Sequence, residues 1–160
     1  MGSRVISKPE TAFFGAGCFW HVQADFDMLE GVVETTVGYM GGSSKNPTYD
    51  DYAHAGHIEV CKVVFNPKLV AYKRLLQAFW NMHDPTQGNR QGLDLGAQYR
   101  SVIFYATAEQ KKQAEASLTE EQAKLKRKIT TAIERAVAFW PAEDYHQKYN
   151  AKHGIRGKVC

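Results

Sequence analysis

Cys18 follows a Gly15-Ala16-Gly17 turn and precedes a run in which Phe19, Val22, Phe26 and Leu29 recur at helical spacing. A cysteine at a helix start meets unpaired backbone N–H groups and the positive end of the helix dipole, which favour thiolate over thiol. That context suits a nucleophile, although an inert packed cysteine can occupy the same place. Phe19 and Trp20 are next. Two large aromatics serve core packing, and beside a nucleophile they can also wall a small apolar pocket suited to a thioether-like group.

The other candidates are scattered. Glu59 opens an apolar run, where it is either a solvated strand-edge charge or a buried acid. Tyr49 and Tyr99 sit in irregular stretches, and Asp94 lies in a glycine-rich turn, a common place for Asp. Cys61 is mid-strand between Val60 and Lys62, which reads as packing, and Cys160 ends a glycine-bearing tail. Three cysteines, an odd count, argue against a disulfide framework, and none forms a C-x2-C zinc pair. No metal, flavin or nicotinamide site is expected.

Composition sets the frame for these residues. The 160 residues are 44% hydrophobic and 23% charged with net charge +3, as expected of one ordinary globular domain. That charge is too mild for a dedicated nucleic-acid binder. The basic cluster at Lys124, Lys126, Arg127 and Lys128 follows Glu115, Glu120 and Glu121 and reads as a solvated face. No apolar run approaches the roughly 20 residues of a membrane helix. The opening MGSRVISKPE lacks a secretory apolar region, and Ile6 does not fit a myristoylation signal, so a cytoplasmic location is expected.

The elements that must position the chemistry alternate. Strands are expected at 11–14, 32–39, 58–65, 101–106 and 129–136, and helices from Cys18 to Gly31 and over Tyr72–Met82. Alternation along 58–65 puts Glu59, Cys61, Val63 and Phe65 on one face and Ile58, Val60, Lys62 and Val64 on the other. Thr107 with Gln110 forms a capping box that starts a charged helix. Pro141 suits the first turn of a last helix ending at Gly154. The class is α/β or α+β: a mixed sheet with helices on it and two long glycine-bearing loops near strand ends. A tail over 1–10, a single catalytic domain over 11–150 and a C-terminal tail over 151–160 are expected.

Gly17-Cys18-Phe19-Trp20 resembles the active-site signature of the A-type peptide methionine sulfoxide reductases, and the likeness continues in order along the chain. Gly38-Tyr39-Met40-Gly41-Gly42 leads to Asn46-Pro47-Thr48-Tyr49, Gly56-His57-Ile58-Glu59-Val60 and His83-Asp84-Pro85. Gln91 to Ser101, Phe139-Trp140-Pro141-Ala142-Glu143 and Tyr145-His146-Gln147-Lys148-Tyr149 complete the series over about residues 11 to 160. The resemblance implies a two-layer sandwich with a ferredoxin-like core. It implies reduction of methionine S-sulfoxide, free or in proteins, as a protein-repair reaction.

By that resemblance Cys18 attacks the sulfoxide sulfur and becomes a sulfenic acid, while Glu59 protonates the oxygen and Tyr49 and Tyr99 hydrogen-bond it. Phe19 and Trp20 hold the substrate methyl, Asp94 helps order the substrate site, and Cys160 resolves the sulfenic acid to a disulfide. A dithiol protein such as thioredoxin then supplies electrons, no cofactor is needed, and a monomer is expected. The signature usually continues Gly-x-Glu after the tryptophan. Here it reads His21-Val22-Gln23, with Gln23 expected to be structural and His21 a bystander. Two other readings use the same residues: a cysteine hydrolase pairing Cys18 with His57 or His146, and a non-enzymatic module binding Met-containing segments.

Overall fold

The computed structural model describes residues 8–154. Eight strands run as β1 (Glu10–Ala16), β2 (Val32–Met40), β3 (Ile58–Phe65), β4 (Arg90–Gln91), β5 (Asp94–Leu95), β6 (Ser101–Tyr105), β7 (Ala132–Arg135) and β8 (Phe139–Pro141). The α-helices are α1 (Phe19–Asp27), α2 (Tyr72–Asn81), α3 (Ala108–Gln122) and the short α4 (Tyr149–Lys152). Six strands form one sheet in the order β7-β6-β1-β3-β2-β8, and β4 with β5 makes a separate hairpin. Every pairing in the large sheet is antiparallel except β6 with β7, which α3 joins as a crossover.

β1-α1-β2-β3-α2-β6 is a split βαβ arrangement, with β3 inserted between β1 and β2 and β1 between β3 and β6. This is the ferredoxin-like core, and it follows from period-two side-chain alternation in strands buried on both faces. Cys61, Val63 and Phe65 of β3 join Ala12 and Phe14 of β1 and the apolar stripes of α1 and α2 in the main core. Ile58 and Val60 fall in a smaller cluster on the other face with Met40, Val102 and Phe104. The alternation of β3 therefore holds, and it directs Glu59 to the helix-covered face.

Three elements differ from expectation. β7 covers only Ala132–Arg135, because the preceding backbone has other partners. Ile129 N–H donates to Gln122 Oε1 at 2.8 Å and Thr130 N–H to the Pro85 carbonyl at 2.7 Å. The Thr107 hydroxyl accepts from Gln110 N–H at 3.1 Å, but the Gln110 side chain returns to Ala106 N–H rather than to the cap residue.

The largest difference is at Pro141, which does not start a helix. It ends edge strand β8, opposite Gly38 of β2. An edge strand tolerates the missing N–H. Gly38 has to be glycine for this pairing, since a Cβ there would come within 2.3 Å of the Trp140 carbonyl oxygen. The chain then makes one 3-10 turn at Asp144–His146 before α4. Lys148, at φ 57°, breaks the expected continuous helix. Tertiary bonds hold it there: its N–H donates to Gln23 Oε1 at 2.7 Å and its Nζ reaches Asp27 Oδ2 at 2.7 Å.

Candidate functional site

The site begins where β1 hands over to α1. Gly17 turns the chain at φ 95°, and a Cβ there would sit 2.8 Å from Gln91 Cγ. Both facts require glycine. Gln91 is itself braced, accepting from Asp84 N–H at 2.8 Å and donating to the Asp84 carbonyl at 2.7 Å. Cys18 follows as the N-cap of α1 without a side-chain capping bond. It is buried and is disulfide-bonded in this structure.

Glu59 supplies a remote cap in its place. The Phe19 N–H, the first of the helix, donates to Glu59 Oε1 at 3.0 Å across 40 residues of sequence. This bond brings the carboxyl to the residue beside Cys18. Its second oxygen accepts a hydrogen bond from the Tyr52 hydroxyl. Glu59 is only 2% exposed, so it is a buried acid and not an edge charge. Burial pushes its pKa up, the bonds from Tyr52 and Phe19 pull it back, and nearby Asp94 pushes it up again; the balance is about 7. Burial dominates because few water dipoles remain to solvate the carboxylate.

Tyrosines surround this carboxyl. Tyr52 is buried and stacks on Tyr39 at 4.6 Å and on Tyr49 at 5.8 Å between ring centroids. Tyr39 donates to Glu143 Oε1 at 2.8 Å, and the Tyr49 N–H donates to Glu143 Oε2 at 3.0 Å. Tyr99 arrives from the 3-10 turn Ala97–Tyr99 and is half-buried. Burial and the Glu59 and Tyr49 groups raise its phenol to about 12, against a hydrogen bond with Tyr52. Tyr49 is raised by burial first and Glu59 second. Asp94, half-buried on the β4–β5 hairpin, is raised by burial and acts electrostatically on Glu59, Tyr49 and Tyr99.

The apolar wall is equally ordered. Phe19 is buried and packs on His146 and Tyr39 with centroids 5.2 and 5.8 Å apart. Trp20 stacks on Tyr149 at 3.7 Å with planes 9° apart, and its indole N–H donates to His146 Nδ1 at 3.0 Å. An imidazole that accepts at Nδ1 is neutral with its proton on Nε2. Burial lowers the His146 pKa, with Glu143 pulling it back, which agrees with that form.

The structure therefore brings Cys18, Phe19, Trp20, Tyr49, Glu59, Asp94 and Tyr99 to one end of the sheet. Cys160 lies outside the described residues. Cys61 is fully buried in the main core, where burial pushes its thiol strongly up. Gln23 bonds the Thr35 carbonyl at 3.2 Å and accepts from Lys148 N–H, so it ties α1 to β2 and to the C-terminal segment. His57 is engaged at both nitrogens, by Gly42 N–H at 3.0 Å and the Ser44 carbonyl at 2.9 Å, and so has no nitrogen left for a catalytic thiol.

Four residues around the site were not assigned such parts from sequence: Tyr39, Tyr52, Glu143 and His146 as the partner of Trp20. Two carried a signal. Tyr39 shares the inward parity of Val37 on β2, and Tyr52 stands one turn after Tyr49.

The peptide methionine sulfoxide reductase family model matches residues 10–160. A peptide methionine sulfoxide reductase from Methanoculleus marisnigri is 54% identical over 149 residues, covering 91% of each chain. Among solved structures, Mxr1 from Saccharomyces cerevisiae in reduced form superposes with a TM-score of 0.89 at 32% identity, covering 96% of this chain and 90% of its own. Mxr1 is also solved in complex with Trx2, where it superposes with a TM-score of 0.65 at 26% identity, covering 89% and 85%.

Proposed function

The chain belongs to the peptide methionine sulfoxide reductase family and is an oxidoreductase, and on that premise we propose that Cys18 and Glu59 together reduce methionine S-sulfoxide. The observation that carries this reading is the Phe19 N–H bond, which holds a buried carboxyl one residue from Cys18. The reduced Cys18 thiolate attacks the sulfoxide sulfur. Glu59 gives its proton to the sulfoxide oxygen, which makes the sulfur more electrophilic and the oxygen a better leaving group. The substrate sulfur–oxygen bond breaks as that oxygen passes to the Cys18 sulfur, the transient sulfur–sulfur bond breaks with its electron pair returning to the substrate, and methionine departs to leave Cys18 as sulfenic acid.

A carboxyl with a pKa of about 7 suits that step, being half protonated where the cell works. Tyr49 and Tyr99 donate to the oxygen as charge develops on it. Their raised pKa values keep both phenols protonated at working pH. The Phe19 and Trp20 rings receive the methyl group. With oxygen and methyl assigned to opposite walls, only one sulfur epimer can extend its chain outward.

The Cys160 thiol then attacks the sulfenic sulfur, releasing water and leaving a disulfide that a thioredoxin-like dithiol reduces by exchange. The complex of Mxr1 with Trx2 supports a thioredoxin partner.

The test is turnover of the separated S and R epimers of a blocked methionine sulfoxide, with dithiothreitol and with thioredoxin. Wild type is expected to consume only the S epimer. Cys18→Ser is expected to be inactive, and Cys160→Ser to fail only with thioredoxin. Hydrolysis of an ester or peptide by Cys160→Ser at the wild-type rate would favour the hydrolase, and binding without turnover would favour the non-enzymatic module.

A further inference from the structure

We propose that Tyr52 is the positioning residue of the proton donor: its hydroxyl fixes Glu59 Oε2 while the Phe19 N–H fixes Oε1, so the carboxyl is held in one orientation beside Cys18. The inference rests on the reading of Glu59 as the acid. It adds a tyrosine that acts on that acid and not on the sulfoxide.

Three observations point to this part. Tyr52 is 3% exposed, and its hydroxyl meets Glu59 and Tyr99, whereas Tyr49 is 37% exposed. The ring is held independently of its hydroxyl, by stacking on Tyr39 and Tyr49. Those two rings are in turn tied to the Glu143 carboxylate, through the Tyr39 hydroxyl and the Tyr49 N–H. The backbone of Tyr52 is also fixed, taking the His57 N–H at 3.0 Å and giving its own N–H to the Thr48 carbonyl at 2.9 Å. The phenol thus has a rigid mount.

The consequence is a pH effect with a definite sign. Asp94 faces Glu59 and raises it by its charge, Glu59 in turn raises the Tyr39, Tyr49, Tyr52 and Tyr99 phenols around it, and Cys18 precedes the Phe19 donor. Among the described residues, Tyr52 and Phe19 donate to the carboxyl and so favour its charged form. Removing the Tyr52 hydroxyl leaves a buried carboxylate with one donor fewer, so the proton is held to higher pH. The same removal frees the carboxyl to rotate, so the rate falls even where the acid is protonated.

Tyr52→Phe keeps the ring and its stacking. It is compared with wild type, Glu59→Gln and Tyr49→Phe in kcat/KM for the S epimer from pH 5 to 10 with dithiothreitol. A ¹³C-carboxyl glutamate titration, with Glu59→Gln as the blank, follows the acid directly. In Tyr52→Phe the alkaline limb and the carboxyl titration should both move up by about one pH unit or more, with a plateau about tenfold lower. Tyr49→Phe should lower the rate without moving the limb. If Glu59→Gln is inactive while Tyr52→Phe titrates like wild type, the part given to Tyr52 is overturned and the acid reading stands. If Glu59→Gln turns over normally, the acid reading falls and takes this inference with it.

Discussion

Glu59 and Glu143 are each held by a backbone N–H and a tyrosine hydroxyl from elsewhere in the chain, and Glu143 by its own N–H as well. Phe19 and Tyr52 serve the first, Tyr49 and Tyr39 the second. The donors from other segments are alike in kind, yet the two acids are displaced in opposite directions. Glu59 rises to about 7. At Glu143 burial also pushes upward, but the bonds from Tyr49 N–H, its own N–H and the Tyr39 hydroxyl, with His146 beside it, hold it below the ordinary value. The difference lies in solvent. Glu59 is buried under α1 at the end of β3, while Glu143 is partly exposed after the edge strand β8. Hydrogen bonds alone do not make a carboxyl an acid at neutral pH; loss of water has to outweigh them. One carboxyl is thereby fitted to give a proton, and the other to stay charged and anchor the tyrosine stack.

Replacing the two acids one at a time is the strongest way to break this comparison. Glu59→Gln should lower kcat/KM for the S epimer by about 10²–10⁴-fold, the usual size of a lost general acid. Glu143→Gln, which loses only an anchor, should cost no more than about tenfold. Equal losses would show that burial is not what separates them.

Stability against pH should separate them next. The pKa of Glu59 is raised on folding, so its contribution is fully present below the ordinary carboxylate value and is lost as pH rises through about 7. Above that pH, wild type should have lost roughly 3 kcal/mol relative to Glu59→Gln in urea melts, taking about 1.4 kcal/mol per pH unit of displacement. Turnover should fall over the same range. Glu143 has the reverse sign: its contribution is present above the ordinary carboxylate value and disappears as pH falls through its lowered value. Melts of Glu143→Gln should therefore approach wild type only in acid.

Gly17→Ala acts on the donor rather than the acid. It forces a side chain into a left-handed turn and against Gln91. It should cost about 1–2 kcal/mol in thermal or urea melts and displace the Phe19 N–H from Glu59. The smallest effect is expected from Tyr39→Phe, which removes one donor from Glu143. It should cost about 1 kcal/mol by the same measurement and leave the alkaline limb of turnover in place. A moved limb would mean that the two carboxyls are coupled through the stack.

Much of this was legible without coordinates. Cys18 at the turn, the shared face of Glu59, Cys61 and Val63, and the Thr107 cap are local patterns set by side-chain periodicity and backbone freedom within a few residues. The ordered blocks from Gly17-Cys18-Phe19-Trp20 to Tyr145-His146-Gln147-Lys148-Tyr149 identified the family. Local pattern failed where long-range bonds outweighed propensity. Pro141 carries a helix-start signal, but it joined an edge strand because Gly38 leaves room for its backbone neighbour. Lys148 broke the expected last helix because Gln23 and Asp27 bind it from more than 120 positions away. The character of Glu59 was decided the same way, by Phe19 at 40 positions and by burial under a helix. Residue type and spacing can name a carboxyl as a candidate acid. Whether it holds a proton at neutral pH depends on how much water the fold excludes and which donors remain, and only tertiary packing sets those.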